Sequence, residues 1–250
     1  MPNYNEIASS LTSTLQLKQP PVAIALTASL PQGVASWSGS APAGCRFWQE
    51  AATRTFATSA RQHDLCAIGI HTHNLEPTDA SSTDLGTALK VFADLGYVRP
   101  EDVPQIPVLA ARPQFVVYGP LAEAPVVPDV VLLFVDAGQT LILSEAAQQL
   151  EGGAPPALGR PACAIVPQAV NSGKTALSLG CCGARAYLDV LTDDVALFAI
   201  PGPRIAEFAE RVKALATANS ILTKFHTLRR RDVEAGNAPT VAESLAALSN

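Results

Sequence analysis

Phe115-Val116-Val117-Tyr118-Gly119 and Val130-Val131-Leu132-Leu133-Phe134 decide the fold of this 250-residue chain. Both runs are β-branched and aromatic, and both are closed by Gly or Asp, so each reads as a strand. Working outward, Val22-Ala23-Ile24-Ala25-Leu26 reads as a buried strand launched by Pro20-Pro21. Those two prolines also stop a helix patterned on Ile7, Leu11, Leu15 and Leu17. Further strands fit Ala162-Cys163-Ala164-Ile165-Val166, Ala176 to Leu179 and Val195 to Ile200. Helices fit the residues after Cys45, Leu85 to Leu95, Ser144 to Leu150 and Ile205 to Ala216, with two more helical pieces either side of Gly236-Asn237-Ala238-Pro239. Strands and helices interleave throughout, which predicts an α/β fold, or a mixed α+β one. The expected architecture is a single compact domain over residues 1–250, with a central mixed sheet flanked by helices. Residues 221–250 read as a C-terminal helical extension, and the Ser/Pro/Gly-rich stretch 29–44 and the stretch 151–160 read as loops rather than linkers.

Composition narrows the function. Nearly half the residues are apolar and the net charge is −5, which describes an ordered domain without the basic face that nucleic acid requires. Arg229-Arg230-Arg231 reads as a solvated helix face. The polar, acidic start lacks the pattern of an export signal, and the most apolar stretch, Val126 to Ala137, is too short to span a bilayer. The expectation is a cytoplasmic protein without a membrane partner, forming a homo-oligomer, in a compartment where thiols stay reduced.

Familiar motifs fail on their context. Val170-Asn171-Ser172-Gly173-Lys174-Thr175 resembles the end of a phosphate-binding loop, but Gln168 stands where the motif needs Gly and the next residues read as a strand. A hairpin turn between two strands is the better reading. Neither a Gly-x-Ser-x-Gly elbow nor a His-Glu-x-x-His helix occurs. His63, His71 and His73 flank Cys66 and suit zinc or iron, although surface or supporting roles are commoner for such residues. His71 and His73 would share a face only on an extended segment.

Five cysteines in a reducing compartment ask for a role other than cross-linking. Cys45 sits at the start of a helix after Pro42-Ala43-Gly44. Cys66 precedes Ala67-Ile68-Gly69, and Cys181 and Cys182 lie between Gly180 and Gly183. Glycine lets backbone approach a bulky centre, and helix starts offer amides and positive potential to an anionic one. No Cys-x-x-Cys occurs, which removes the zinc ribbon and the compact ferredoxin run. Buried, inert cysteines remain the plain alternative.

The elements Pro20-Pro21-Val22-Ala23-Ile24, Gly44-Cys45-Arg46-Phe47-Trp48-Gln49-Glu50-Ala51 and His63-Asp64-Leu65-Cys66-Ala67-Ile68-Gly69 occur together with Arg160-Pro161-Ala162-Cys163-Ala164 and Gly180-Cys181-Cys182-Gly183-Ala184-Arg185. With Ile200-Pro201-Gly202, they make the chain resemble domain-of-unknown-function family 169 over roughly residues 15–220. The resemblance implies that Cys45, Cys66, Cys163 and Cys181 belong to the family pattern, with Cys182 the spare or substitute thiol. Four such thiols match the ligand count of a 4Fe–4S cluster, and scattered ligands favour iron–sulfur over zinc. Arg46 and Arg185 are then candidates to hydrogen-bond the cluster or steer an anionic substrate. A redox partner protein or a small-molecule ligand is the expected partner, and no reaction is assigned. Two metal-free alternatives stand beside this one. The first is a thiol redox protein using a Cys181–Cys182 disulfide. The second is a non-enzymatic module that binds a small molecule or noncovalent haem, with Phe47 and Trp48 lining an apolar pocket.

Overall fold

The computed structural model describes residues 2–39, 41, 44–158 and 161–248. Pro42, Ala43 and Arg160, quoted above in the motifs, lie outside the described residues. The strands are β1 (Val22–Thr27), β2 (Phe56–Thr58), β3 (Phe115–Pro120), β4 (Val130–Val135), β5 (Ala157–Leu158), β6 (Ala176–Ser178) and β7 (Ala196–Pro201). They form one sheet in the order β2-β3-β1-β4-β7-β6-β5, antiparallel at each junction except β5–β6. The helices are α1 (Tyr4–Leu15), α2 (Arg46–Glu50), α3 (Ala67–Thr72), α4 (Asp79–Asp94), α5 (Ala137–Glu151), α6 (Ile165–Ser172), α7 (Ile205–Glu234) and α8 (Val241–Ala246). The protein is a mixed α/β fold, and the two runs that opened the sequence reading are β3 and β4.

Alternation along the strands builds two cores. Ala23, Val131, Leu133, Val135, Phe198 and Ile200 pack on one face of the sheet with α1, α5 and α7. Val22, Ile24, Val116, Tyr118, Leu132 and Leu197 pack on the other face with α2, α3, α6 and three of the cysteines. A sheet covered on both sides needs apolar residues at odd and even positions alike. That is why all six residues of β4 are buried. No helix among the described residues is long and apolar enough to cross a membrane.

Three local expectations change. Ala162–Val166 is not a strand: Ala162–Ala164 forms a 3₁₀ turn that runs into α6. All five of these residues are buried, so the run lacks the one-sided periodicity that separates helix from strand. Pro161 precedes the turn, and Pro167 is tolerated in the first turn of α6, where a missing N–H loses no helical bond. Asn171-Ser172-Gly173 is not a hairpin turn but the end of α6. Gly173 takes φ 63° there and turns the chain into β6. Finally, α7 does not stop near Ala216 but continues unbroken to Glu234, through the position where the C-terminal extension was expected to begin.

Candidate functional site

Each cysteine stands where a loop enters a helical turn on the α2/α3/α6 side of the sheet. Cys45 is the residue before α2, and Cys66 the residue before α3. Cys163 lies in the 3₁₀ turn leading into α6, and Cys181 and Cys182 precede the π-helical turn Gly183–Tyr187. Cys45, Cys66 and Cys163 are buried, Cys181 is partly buried and Cys182 is exposed; all five thiols are free.

These four segments, far apart in sequence, meet at one cavity of about 530 Å³, and all five cysteines line it. The thiols feel one another. Burial pushes the Cys45 thiol well above its ordinary range, and the nearby Cys163, Cys66 and Cys181 push it further. Cys163 is raised by burial and then by Cys66, while the Thr72 hydroxyl, donating to its Sγ at 3.3 Å, opposes the shift. Cys66 is raised by burial and, more weakly, by Cys181; the backbone N–H groups of Gly44 and Gly69 hydrogen-bond to its sulfur and pull the other way. Sulfur here is therefore met by donors suited to a thiolate, in surroundings that keep an uncompensated thiol neutral. The thiols face a common space without being drawn together around a point. Among the described residues no three His, Cys, Asp or Glu side chains are grouped to hold a single metal ion.

Close backbone approach forms the rear wall. A Cβ on Gly69 would stand 2.6 Å from Cys66 Sγ, and one on Gly44 would stand 2.9 Å from His63 Nδ1. His63 and His73 lie behind the thiols, fully buried, with ring centroids 6.2 Å apart. Burial, and then the proximity of His73, lowers His63 to about 3. His73 is lowered to about 4 by burial against the opposing pull of the Gly69 carbonyl. Both rings are neutral at pH 7. His63 Nε2 pairs with Thr58 Oγ1 at 2.9 Å and His73 Nδ1 lies 3.1 Å from the Gly69 carbonyl, while His63 Nδ1 and His73 Nε2 have no partner among the described residues. Residues 67–72 being helical, His71 leaves the other two and lines a separate 380 Å³ cavity beside Asn74 and Arg112.

The two arginines do not line the thiol cavity. Arg46 hydrogen-bonds the Gln49 side chain on its own helix. Arg185 spends its guanidinium on backbone carbonyls: Leu179 at 2.6 Å, Val195 at 3.1 Å, and Thr192. It staples the segment that carries Cys181, with the Asp193 carboxylate 3.8 Å away. Phe47 and Trp48 are 0% and 1% exposed, in the sheet-side core, so the apolar pocket expected around them lies elsewhere.

That pocket wall comes from α4 and the chain after it. Leu85, Ala88, Leu89 and Phe92 line the cavity opposite the thiols, with Tyr97, Val98 and Ile106 beyond. The helical spacing of these residues was legible, but nothing local said that they face cysteines. Thr72 and the Gly44 and Gly69 amides were likewise invisible, because a hydrogen bond to sulfur leaves no pattern in sequence.

No curated protein and no solved structure matches the chain. A family described as an uncharacterised ArCR, DUF169, matches residues 10–211, a span that takes in all five cysteines, their amide donors and the whole sheet. The chain belongs to the DUF169 family.

Proposed function

We propose that this protein holds a 4Fe–4S cluster on Cys45, Cys66, Cys163 and Cys181, with a role in electron transfer, redox sensing or activation of a small molecule. One observation carries the reading: four thiols from four separate segments line one cavity in which the charged side chains, Asp84 and Asp102, are both acidic. Three of those thiols are buried and raised in pKa, so they ionise only against positive charge, and among the described residues no basic side chain lines their cavity. Iron supplies that charge. In a cluster each thiolate binds a different iron, which suits ligands spread around a cavity better than a single zinc ion does. The Gly44 and Gly69 amides and the Thr72 hydroxyl would then donate to ligand sulfurs, the interactions that tune such centres. When bound, the cluster supplies one-electron chemistry or a Lewis-acidic iron. The chain's own residues exclude water, fix the sulfurs and keep His63 and His73 uncharged behind them.

The test is iron and acid-labile sulfide content after strictly anaerobic purification and reconstitution. About four of each per chain, with a brown chromophore that bleaches in air, is expected. Single Ser replacements at Cys45, Cys66, Cys163 or Cys181 should lower the iron content, and Cys182→Ser should not. Colourless, iron-free protein after reconstitution overturns the reading.

The exposure of Cys182 beside the partly buried Cys181 favours one metal-free alternative, a reversible disulfide between neighbours. Forming it releases two protons and passes two electrons to a disulfide or peroxide oxidant. Mass spectrometry of oxidised and reduced samples separates the two readings by a loss of two hydrogens within the 181–182 peptide.

A further inference from the structure

We infer that the space between the cysteines and α4 is a binding site for an apolar organic molecule without negative charge. The observation is a helix without a core. Helix α4 is 16 residues long and well started, its Thr78 and Ser81 side chains each capping the other's backbone N–H, yet Ser81 is the one residue of it that is buried. Leu85, Ala88, Leu89 and Phe92 recur at the i, i+3, i+4, i+7 spacing of an apolar stripe. In a globular protein that stripe normally supplies most of a helix's stability by packing against neighbours. Here it borders the cavity, and Phe92 is left 37% exposed.

The volume of 530 Å³ is in the range of pockets for small organic ligands, about 300–1,000 Å³. Its charge selects the ligand. Asp102 is already held by Arg99 through two bonds of 2.6 and 2.7 Å, whereas Asp84 has no ion-pair partner among the described residues. Among the described residues no cationic side chain lines the space, and metal-bound thiolates would add further negative charge at its floor. An anion would lose its hydration without gaining a partner, while a neutral or cationic molecule with an apolar body meets complementary walls. That this molecule would sit against a metal centre rests on the cluster reading; that it sits under α4 does not.

The experiment titrates the full chain, iron-loaded and iron-free, with Nile red as an uncharged probe and anilinonaphthalene sulfonate as an anionic one. Saturable Nile red binding at one per chain is expected, at least tenfold tighter than the anionic probe. Ala88→Trp, which fills the cavity, should weaken Nile red binding at least tenfold. Val91→Trp, on the outer side of the same helix, should change it less than twofold. Hydrogen exchange on the wild type gives a readout that does not depend on a variant folding: saturation with Nile red should slow exchange over residues 79–98. Nile red binding equal in wild type and Ala88→Trp overturns the inference, as does unchanged exchange over 79–98. Iron-free protein that still binds Nile red in an Ala88-dependent way supports the cavity and counts against the cluster. Iron-loaded protein lacking such binding does the reverse.

Discussion

Two glycine-to-alanine changes, both inside helices, should have opposite effects on stability. Gly86 lies in the middle of α4, and a Cβ there meets nothing within 4 Å. Alanine is favoured over glycine in a helix by about 1 kcal/mol, partly because it restricts the unfolded chain, so Gly86→Ala should stabilise the protein by about 0.5–1 kcal/mol. Gly69 lies inside α3, and the same intrinsic gain applies. Its added methyl, however, would stand 2.6 Å from Cys66 Sγ and 3.9 Å from His63 Nδ1. Cys66 is only 7% exposed, and its sulfur, set beside the Gly44 and Gly69 amides, yields only by turning into the thiol cavity and leaving them. Overpacking at a buried position costs about 1–3 kcal/mol, so Gly69→Ala should end about 1–3 kcal/mol less stable than Gly86→Ala. Urea denaturation of the metal-free variants, with m-values checked for agreement, measures the difference. Iron content after anaerobic reconstitution should fall by at least half in Gly69→Ala and stay unchanged in Gly86→Ala. A Gly69→Ala protein as stable as Gly86→Ala, with its full iron, would show that Cys66 Sγ does not rest on Gly69, and the rear wall of the site would be wrong.

Two further outcomes follow from buried ionisable groups. His63 and His73 have pKa values of about 3 and about 4 in the folded protein, below the value of about 6.5 in the unfolded chain, so the unfolded state binds more protons between these limits. Stability is therefore whole above pH 6.5 and declines as pH falls towards 4, each histidine losing up to about 2 kcal/mol between pH 6.5 and 5. His73→Gln should flatten that part of the denaturation profile of the metal-free protein, and an unchanged slope would refute the burial of a neutral ring there. On the side of the sheet covered by α5 and α7, the Glu151 side chain is 3% exposed. It accepts from Arg204 at 2.9 Å, from the Thr175 N–H at 3.1 Å and from the Thr175 hydroxyl at 2.8 Å. Glu151→Ala leaves those donors unpaired and should cost about 3 kcal/mol in urea denaturation; a loss under about 1 kcal/mol would mean that water replaces the carboxylate without penalty.

The parts of the fold that were legible share one property: their signal is local. Phe115–Gly119 and Val130–Phe134 are strands because β-branched and aromatic side chains suit a pleated backbone whatever surrounds it. The break at Gly152 holds because it acts on its own φ and ψ, Gly152 adopting φ 77° to end α5; the break at Pro20-Pro21 does not, since α1 already ends at Leu15, where Gln16 turns left-handed at φ 53°. Ala162–Val166 was misread because a run buried all round carries no period. The partners of Arg185 carry no local signal, because its three carbonyls are reached only when the chain from 179 to 195 folds back on itself.

By itself the sequence determined that the cysteines are the chemically distinctive residues, that no Cys-x-x-Cys spacing joins them, and that two long apolar runs must be strands. Only the tertiary structure decided that Cys45, Cys66, Cys163 and Cys181 share one cavity, that Phe47 and Trp48 are core, and that the stripe of α4 faces thiols instead of protein. The physical reason is that periodicity and residue chemistry are written within a few residues. Convergence depends on strand order: the segments carrying Cys45 and Cys66 lie between β1 and β3, those carrying Cys163 and Cys181 between β5 and β7, and the pairing of β1 with β4 and of β4 with β7 joins these two halves of the chain in one sheet.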